Sequence, residues 1–237
     1  MSTIVVVKKN NKVAIAADTL STMGSTKSDN KYIANSEKIV RFGNSYIGIV
    51  GSSAHSHVIE SLMRKYPKKL SFNGVSEIFE TYLRIHPILK DEYYLKTDEG
   101  KDGDYESSQI VALIANPYGI FGVFSWRDVD EYNRFWAIGS GDEYALGAMY
   151  AAYERIDDVE EIARIGVSAG CEFDDGSGLP CTSYSIVLCE SISADRKSIS
   201  KSTTNKLPES VTKQTSVITK QIGFNNGSNG RRAKTYK

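Results

Sequence analysis

Apolar residues gather early in two short runs, Thr3 to Lys8 and Val13 to Asp18, separated by a polar turn around Lys9-Asn10-Asn11. Runs of this length, rich in Val and Ile and parted by turn residues, predict a β-hairpin. A second hairpin is predicted from Glu37–Phe42 and Tyr46–Val50, turning through Gly43-Asn44-Ser45. The polar stretch from Ser21 to Asn35 between them reads as a loop. Val58, Leu62, Met63 and Tyr66 recur at helical spacing, which predicts a helix over Ala54–Tyr66. A second helix is expected over Val75–Tyr94, kinked or ended by Pro87. Asp91 to Glu106 is acidic and holds Gly100 and Gly103, the composition of an exposed loop. Strands return at Gln109–Ala115 and Gly119–Trp126 about an Asn-Pro-Tyr-Gly turn, and again at Phe135–Ile138 before Gly139-Ser140-Gly141. Helices at Asp142–Arg155 and Val159–Phe173 and a strand at Ser183–Leu188 complete the pattern. Strands in runs, then helices in runs, predict an α+β layered fold and not an alternating parallel one.

The 237 residues suit one domain, assigned to 1–190, with a tail over 191–237. The net charge of zero hides an asymmetry, because the tail holds ten Lys/Arg against two Asp/Glu and the rest 19 against 27. Ser, Thr, Lys and Asn dominate the tail, which predicts disorder. Its charges are scattered and few aromatics accompany them, so a nucleic-acid partner is not expected. No apolar run is long enough for a signal core or a membrane span. Cys171, Cys181 and Cys189 lack metal-site spacing and are odd in number, which fits reduced thiols in a cytoplasmic protein. His55 and His57 are two apart and would diverge on a helix, so no metal site is assigned.

Removal of Met1 would leave Ser2 with a hydroxyl and a free α-amine on one residue. Serine needs a neighbouring base to act as a nucleophile, and an α-amine titrates at about 7.7–8.0. One residue could therefore supply both. Asp18 ends an apolar strand that runs beside Ser2, an expensive place for a carboxylate unless it is paired. Lys38 opens the strand of the second hairpin and could pair with it, which would keep the amine neutral. Gly51, at a strand-to-helix junction, could present its backbone N–H to a reacting carbonyl as an oxyanion-hole donor.

These residues stand in a wider pattern. Ser2 to Asp18, Ser36-Glu37-Lys38-Ile39-Val40-Arg41, Gly51-Ser52-Ser53-Ala54 and Ala137-Ile138-Gly139-Ser140-Gly141 together resemble the proteasome-type N-terminal nucleophile hydrolases. The likeness covers most of 2–190 and runs to HslV and, more nearly, to the betaproteobacterial proteasome homologue family. It implies a four-layer αββα sandwich, with Ser2 where the family usually has threonine. It further implies that Asp18 and Lys38 are the family's acid and lysine, that Ser140 and Gly141 hold the amine and a water, and that Asp174 and Ser177 complete the site. Asp175 competes with Asp174 for that position. Ile49 falls where the family builds the floor of its first specificity pocket, which suggests apolar or mid-sized residues before the cut bond. The resemblance also implies a homo-oligomeric double ring acting on peptides or unfolded proteins without a cofactor, with an AAA+ unfoldase as a possible partner. A ring scaffold with little hydrolysis and a non-peptidase amidohydrolase of the same fold are the competing readings. Nucleotide binding at Gly139-Ser140-Gly141 is disfavoured, because Tyr144 stands where the third glycine of that motif belongs.

Overall fold

The computed structural model describes residues 1–97 and 105–189. The tail assigned to 191–237, and the centre of the acidic stretch, lie outside the described residues.

Two antiparallel sheets face each other. The first has the order β10-β1-β2-β11, from β1 (Thr3–Lys9), β2 (Lys12–Asp18), β10 (Phe135–Gly139) and β11 (Cys181–Val187). The second runs β5-β6-β7-β8-β9, from β5 (Ile39–Phe42), β6 (Ser45–Val50), β7 (Val111–Asn116), β8 (Gly119–Val123) and β9 (Val129–Tyr132). Helices α3 (Asp142–Tyr153) and α4 (Val159–Phe173) cover the outside of the first sheet. Helices α1 (Ser53–Lys65) and α2 (Val75–Asp91) cover the second.

This layering explains why the first runs are apolar throughout and do not alternate. A strand buried on both faces has no solvent side to mark. On β1, Ile4 and Val6 point between the sheets while Val5 and Val7 point under α3 and α4. On β2, Val13, Ile15 and Ala17 face the opposite sheet, and the smaller Ala14 and Ala16 let the helices approach. The sheets also meet closely at Gly48, where a Cβ would stand 2.6 Å from Ile4 Cγ2.

The structure differs from the expected elements in several places. The loop predicted over 21–35 contains a small hairpin, β3 (Ser21–Met23) with β4 (Thr26–Ser28). Its turn is Gly24-Ser25 with Gly24 at φ +60, a two-residue hairpin signal hidden by polar, solvent-facing strands. Helix α2 runs through Pro87 and ends at Asp91 instead of Tyr94. Proline removes the hydrogen bond to the carbonyl four residues back, and Leu83 lies on the exposed side where water can serve that carbonyl. Buried Ile85, Ile88 and Leu89 hold the helix on either side of the proline. Strand β9 was not expected, because Asp130 and Glu131 break its apolar pattern. Strand β8 stops at Val123, short of Trp126, while β11 starts two residues earlier than predicted.

These contacts give a paired stability prediction. Gly48→Ala should lower unfolding free energy by about 1–3 kcal/mol by overpacking the sheet interface. Gly147→Ala, in the middle of α3 with nothing within 4 Å of the new methyl, should raise it by about 0.5–1 kcal/mol. Chemical denaturation of the two variants checks both signs.

Candidate active site

The first residues of β1 reach the end of the first sheet, and the site is built around them. Thr3 pairs with Gly139 on β10, and Ile4 with Ala17 on β2. Gly139 has φ +107, and a Cβ there would lie 2.0 Å from the Ser2 carbonyl oxygen. Only glycine permits that approach. Val50, at the end of β6, touches the same point, its Cγ1 3.4 Å from the notional Cβ. The end of the second sheet therefore meets the start of the first beside Ser2.

Asp18 has no solvent exposure and both its oxygens are fully engaged. Oδ1 accepts the Lys38 ammonium at 2.7 Å and the Thr3 N–H at 3.0 Å. Oδ2 accepts the N–H groups of Leu20 at 3.0 Å and Gly178 at 3.1 Å. The ammonium of Lys38, which immediately precedes β5, also reaches the Met1 carbonyl at 3.4 Å. The carboxylate thereby ties the first strand, the chain after β2, the segment before β11 and Lys38 to one point.

A second network approaches from the α3 and α4 side. The Ser2 N–H donates to Ser140 Oγ at 3.3 Å, and Ser140 donates to Asp174 Oδ2 at 2.7 Å. Ser177 Oγ also donates to Asp174 Oδ2 at 2.7 Å. Its single proton is thus used, so the 2.7 Å contact with Thr3 must have Thr3 Oγ1 as donor. Asp174, and not Asp175, is thus the carboxylate that these two serines contact. Burial works against ionisation of Asp174, but the Ser177 and Ser140 hydroxyls and the Gly176 backbone outweigh it, holding the carboxyl below its usual range. The Gly141 N–H meets the Ser2 carbonyl at 3.4 Å.

Thr3 was not among the residues singled out from the sequence. It is fully buried, and its side chain fills the space that a Cβ on Gly141 or Gly170 would need, with Oγ1 at 2.2 and 2.3 Å. A threonine in a Val/Ile strand carries no signal of that role, since its β-propensity alone explains it. Cys171, next to Gly170, is a poor nucleophile: burial chiefly, with nearby negative charge, pushes its thiol up to about 12.

Gly51 lies exposed at φ +101 between β6 and α1. The Ser52 hydroxyl accepts the Ala54 N–H at 3.3 Å and caps α1, whose first turn has no acidic residue. Ile49 is buried in the apolar layer between β6 and the helices α1 and α2, one residue from Val50. With Met1 before it, the Ser2 nitrogen is a peptide amide, and the Ser2 hydroxyl donates to the Met1 carbonyl at 2.6 Å. Among the described residues no cluster of three or more His, Cys, Asp or Glu is arranged to hold a metal ion. No described helix is long and apolar enough to cross a membrane.

No protein-family model matches the chain. It is 44% identical to Thiobacillus denitrificans BPH, a bacterial proteasome homologue, across 79% of this chain and 99% of that one, with a TM-score of 0.74. It belongs to the bacterial proteasome homologue family. A second structure of the Thiobacillus protein, in complex with epoxomicin, matches to the same extent. Eukaryotic HslV from Trypanosoma brucei is 22% identical over 78% of this chain and 99% of that chain, with a TM-score of 0.55, and shares the fold. The four layers described above are accordingly those of an N-terminal nucleophile hydrolase, and the family places the chain among proteasome-type peptidases.

The two aspartates of this bacterial proteasome homologue should respond differently to amide substitution. Asp18→Asn turns an N–H group toward buried donors and should cost about 3–5 kcal/mol of stability. Asp174→Asn keeps one oxygen for both serines and should cost under about 1.5 kcal/mol. Denaturant midpoints of the two variants test the contrast.

Proposed function

We propose that this chain is a self-compartmentalising peptidase that cuts peptide bonds with Ser2 as its N-terminal nucleophile. The observation that carries the reading is that two hydrogen-bond networks meet at the start of β1 around Ser2. One is the buried Asp18–Lys38 pair, which holds the Thr3 N–H and the Met1 carbonyl on either side of Ser2; the other is the Ser140–Asp174–Ser177 chain, which reaches the Ser2 nitrogen.

The mechanism requires loss of Met1. An amide nitrogen has its lone pair delocalised into the carbonyl and cannot serve as a base. As a free amine beside Ser140, the same nitrogen takes the proton from Ser2 Oγ as that oxygen attacks the substrate carbonyl. The Lys38 ammonium adds positive charge at the position the Met1 carbonyl now holds, which favours the neutral amine. The Gly51 N–H receives the oxyanion. The tetrahedral intermediate collapses, the amine returns its proton to the leaving nitrogen, and an ester remains on Ser2. Water held near Ser140 and the amine hydrolyses the ester, releasing the acid and restoring the hydroxyl.

Serine in place of threonine lacks the methyl that restricts χ1, so the nucleophile is less preorganised. The apolar environment of Ile49 suits a mid-sized apolar residue before the cut bond. Membership of the bacterial proteasome homologue family supports homo-oligomeric double rings that enclose the sites and act on peptides or unfolded chains. An AAA+ unfoldase is the class of partner that would feed such a chamber.

Replacing the nucleophile and blocking its release test the reading together. Ser2→Ala should reduce kcat/KM for a peptide substrate by at least about 10³-fold, while Ser2→Thr should equal or exceed the parent. A chain shown by intact mass to retain Met1 should be as inactive as Ser2→Ala. Full activity in the Met1-bearing form would overturn the mechanism, and inactivity of a chain that begins at Ser2 would favour a ring scaffold.

A further inference from the structure

Thr3 belongs to both networks that flank Ser2. Its N–H donates to Asp18 Oδ1 at 3.0 Å, and its Oγ1 donates to Ser177 Oγ at 2.7 Å. The first bond is made by the backbone and asks nothing of the side chain. The second needs a hydroxyl, and β1 otherwise consists of Ile, Val and Lys.

From Ser177 the bonds run toward the Ser2 nitrogen. Ser177 Oγ donates to Asp174 Oδ2 at 2.7 Å, and the same oxygen accepts Ser140 Oγ at 2.7 Å. An ionised carboxylate only accepts, so both serine protons are committed to it. Each serine oxygen is then open to an incoming donor, which is the Ser2 nitrogen at Ser140 and Thr3 at Ser177. The path also runs from the inside outward. Thr3 is fully buried and Ser177 only 3% exposed, whereas Asp174 is half-buried and Ser140 exposed. A site is held to its working geometry by side chains whose own rotamers are locked by packing. Thr3 is such a side chain. Its β-branch restricts χ1, and its Cγ2 and Cβ lie 2.6 and 2.9 Å from where a Cβ on Gly170 would stand.

We infer that Thr3 is a positioning residue for peptide hydrolysis: through Ser177 and Asp174, its hydroxyl holds Ser140 against the nitrogen that acts as base. The inference rests on the reading of Ser2 given under Proposed function. A free amine turns about its bond to Cα, and an acceptor fixed at one of its N–H groups sets where the lone pair points. Ser140 is that acceptor, and its place is only as firm as the buried end of the path. Thr3 acts at a distance of three hydrogen bonds from Ser140, so it guides the base without meeting the substrate.

Thr3→Val and Thr3→Ser form the test, made in the full chain shown by intact mass to begin at Ser2. Valine keeps the branched shape and loses the hydroxyl; serine keeps the hydroxyl and loses the methyl. A positioned base contributes about 10²–10⁴-fold, so loosening it through Thr3→Val should lower kcat about tenfold. KM should stay within about twofold, and Thr3→Ser should keep most of the parent rate. Thr3→Ala differs from Thr3→Ser only in the hydroxyl and makes the same comparison should the valine variant fail to fold. Ser177→Ala cuts the same path, so the double variant Thr3→Val/Ser177→Ala should be no slower than the slower single one. Equal kcat in the parent and the valine variant overturns the inference. So does a loss confined to KM, a serine variant as slow as valine or alanine, or losses that multiply in the double variant. If the parent shows no hydrolysis that depends on Ser2, the functional reading falls and this inference with it. Ser2-dependent hydrolysis that is indifferent to the Thr3 hydroxyl removes this inference alone.

Discussion

A carboxylate without solvent access is tolerable only when its hydrogen-bonding capacity is met by the fold, and Asp18 meets that condition with four donors, two on each oxygen. Three are backbone N–H groups and the fourth is the Lys38 ammonium. They come from β1, from the chain beyond β2, from the segment before β11 and from the residue preceding β5. The demand of one buried charge thus brings the ends of both sheets together. That junction holds Ser2 in place, so the site depends on the same interaction that closes the end of the sandwich.

The second constraint is space. Thr3 lies over Gly141 and Gly170, and the Ser2 carbonyl approaches Gly139 too closely for any side chain. α3 and α4 come down onto the first strand because small residues on both sides leave room. Ser140, two residues before α3, consequently accepts from the Ser2 nitrogen, and Asp174, at the end of α4, accepts from Ser140. Met1 fits this arrangement as an added residue: its carbonyl takes the Ser2 hydroxyl and the Lys38 ammonium, and its side chain lies against Gly176. The site is therefore assembled around a nitrogen that Met1 keeps in amide form.

Much of this was legible in the sequence because the strongest pressures leave plain marks. Burial on both faces made β1 and β2 continuous apolar runs, and the cost of burying Asp18 made a strand-end aspartate informative. The parts that were not legible carry weaker marks. The β3–β4 hairpin is polar on its exposed sides, and β9 is interrupted by Asp130 and Glu131. Pro87 breaks helices in general, yet α2 passes through it because Leu83 faces water and the flanking apolar residues are buried. Thr3 looked like an ordinary β-former because its hydroxyl partner, Ser177, is 174 residues away. His55 drew notice only beside His57, whereas its ring lies against Gly51, four residues before it. Contacts set by tertiary approach, and not by local pattern, are the ones a single sequence hides.

The most direct measurement is intact mass after incubation with epoxomicin, a peptide epoxyketone that bridges a terminal hydroxyl and its own α-amine. The account predicts one adduct per chain on protein that begins at Ser2, and none on Ser2→Ala or on chains that retain Met1. An adduct on either control, or its absence from a chain proven to begin at Ser2 across a series of peptide epoxyketones, would contradict the assignment of Ser2 as an N-terminal nucleophile.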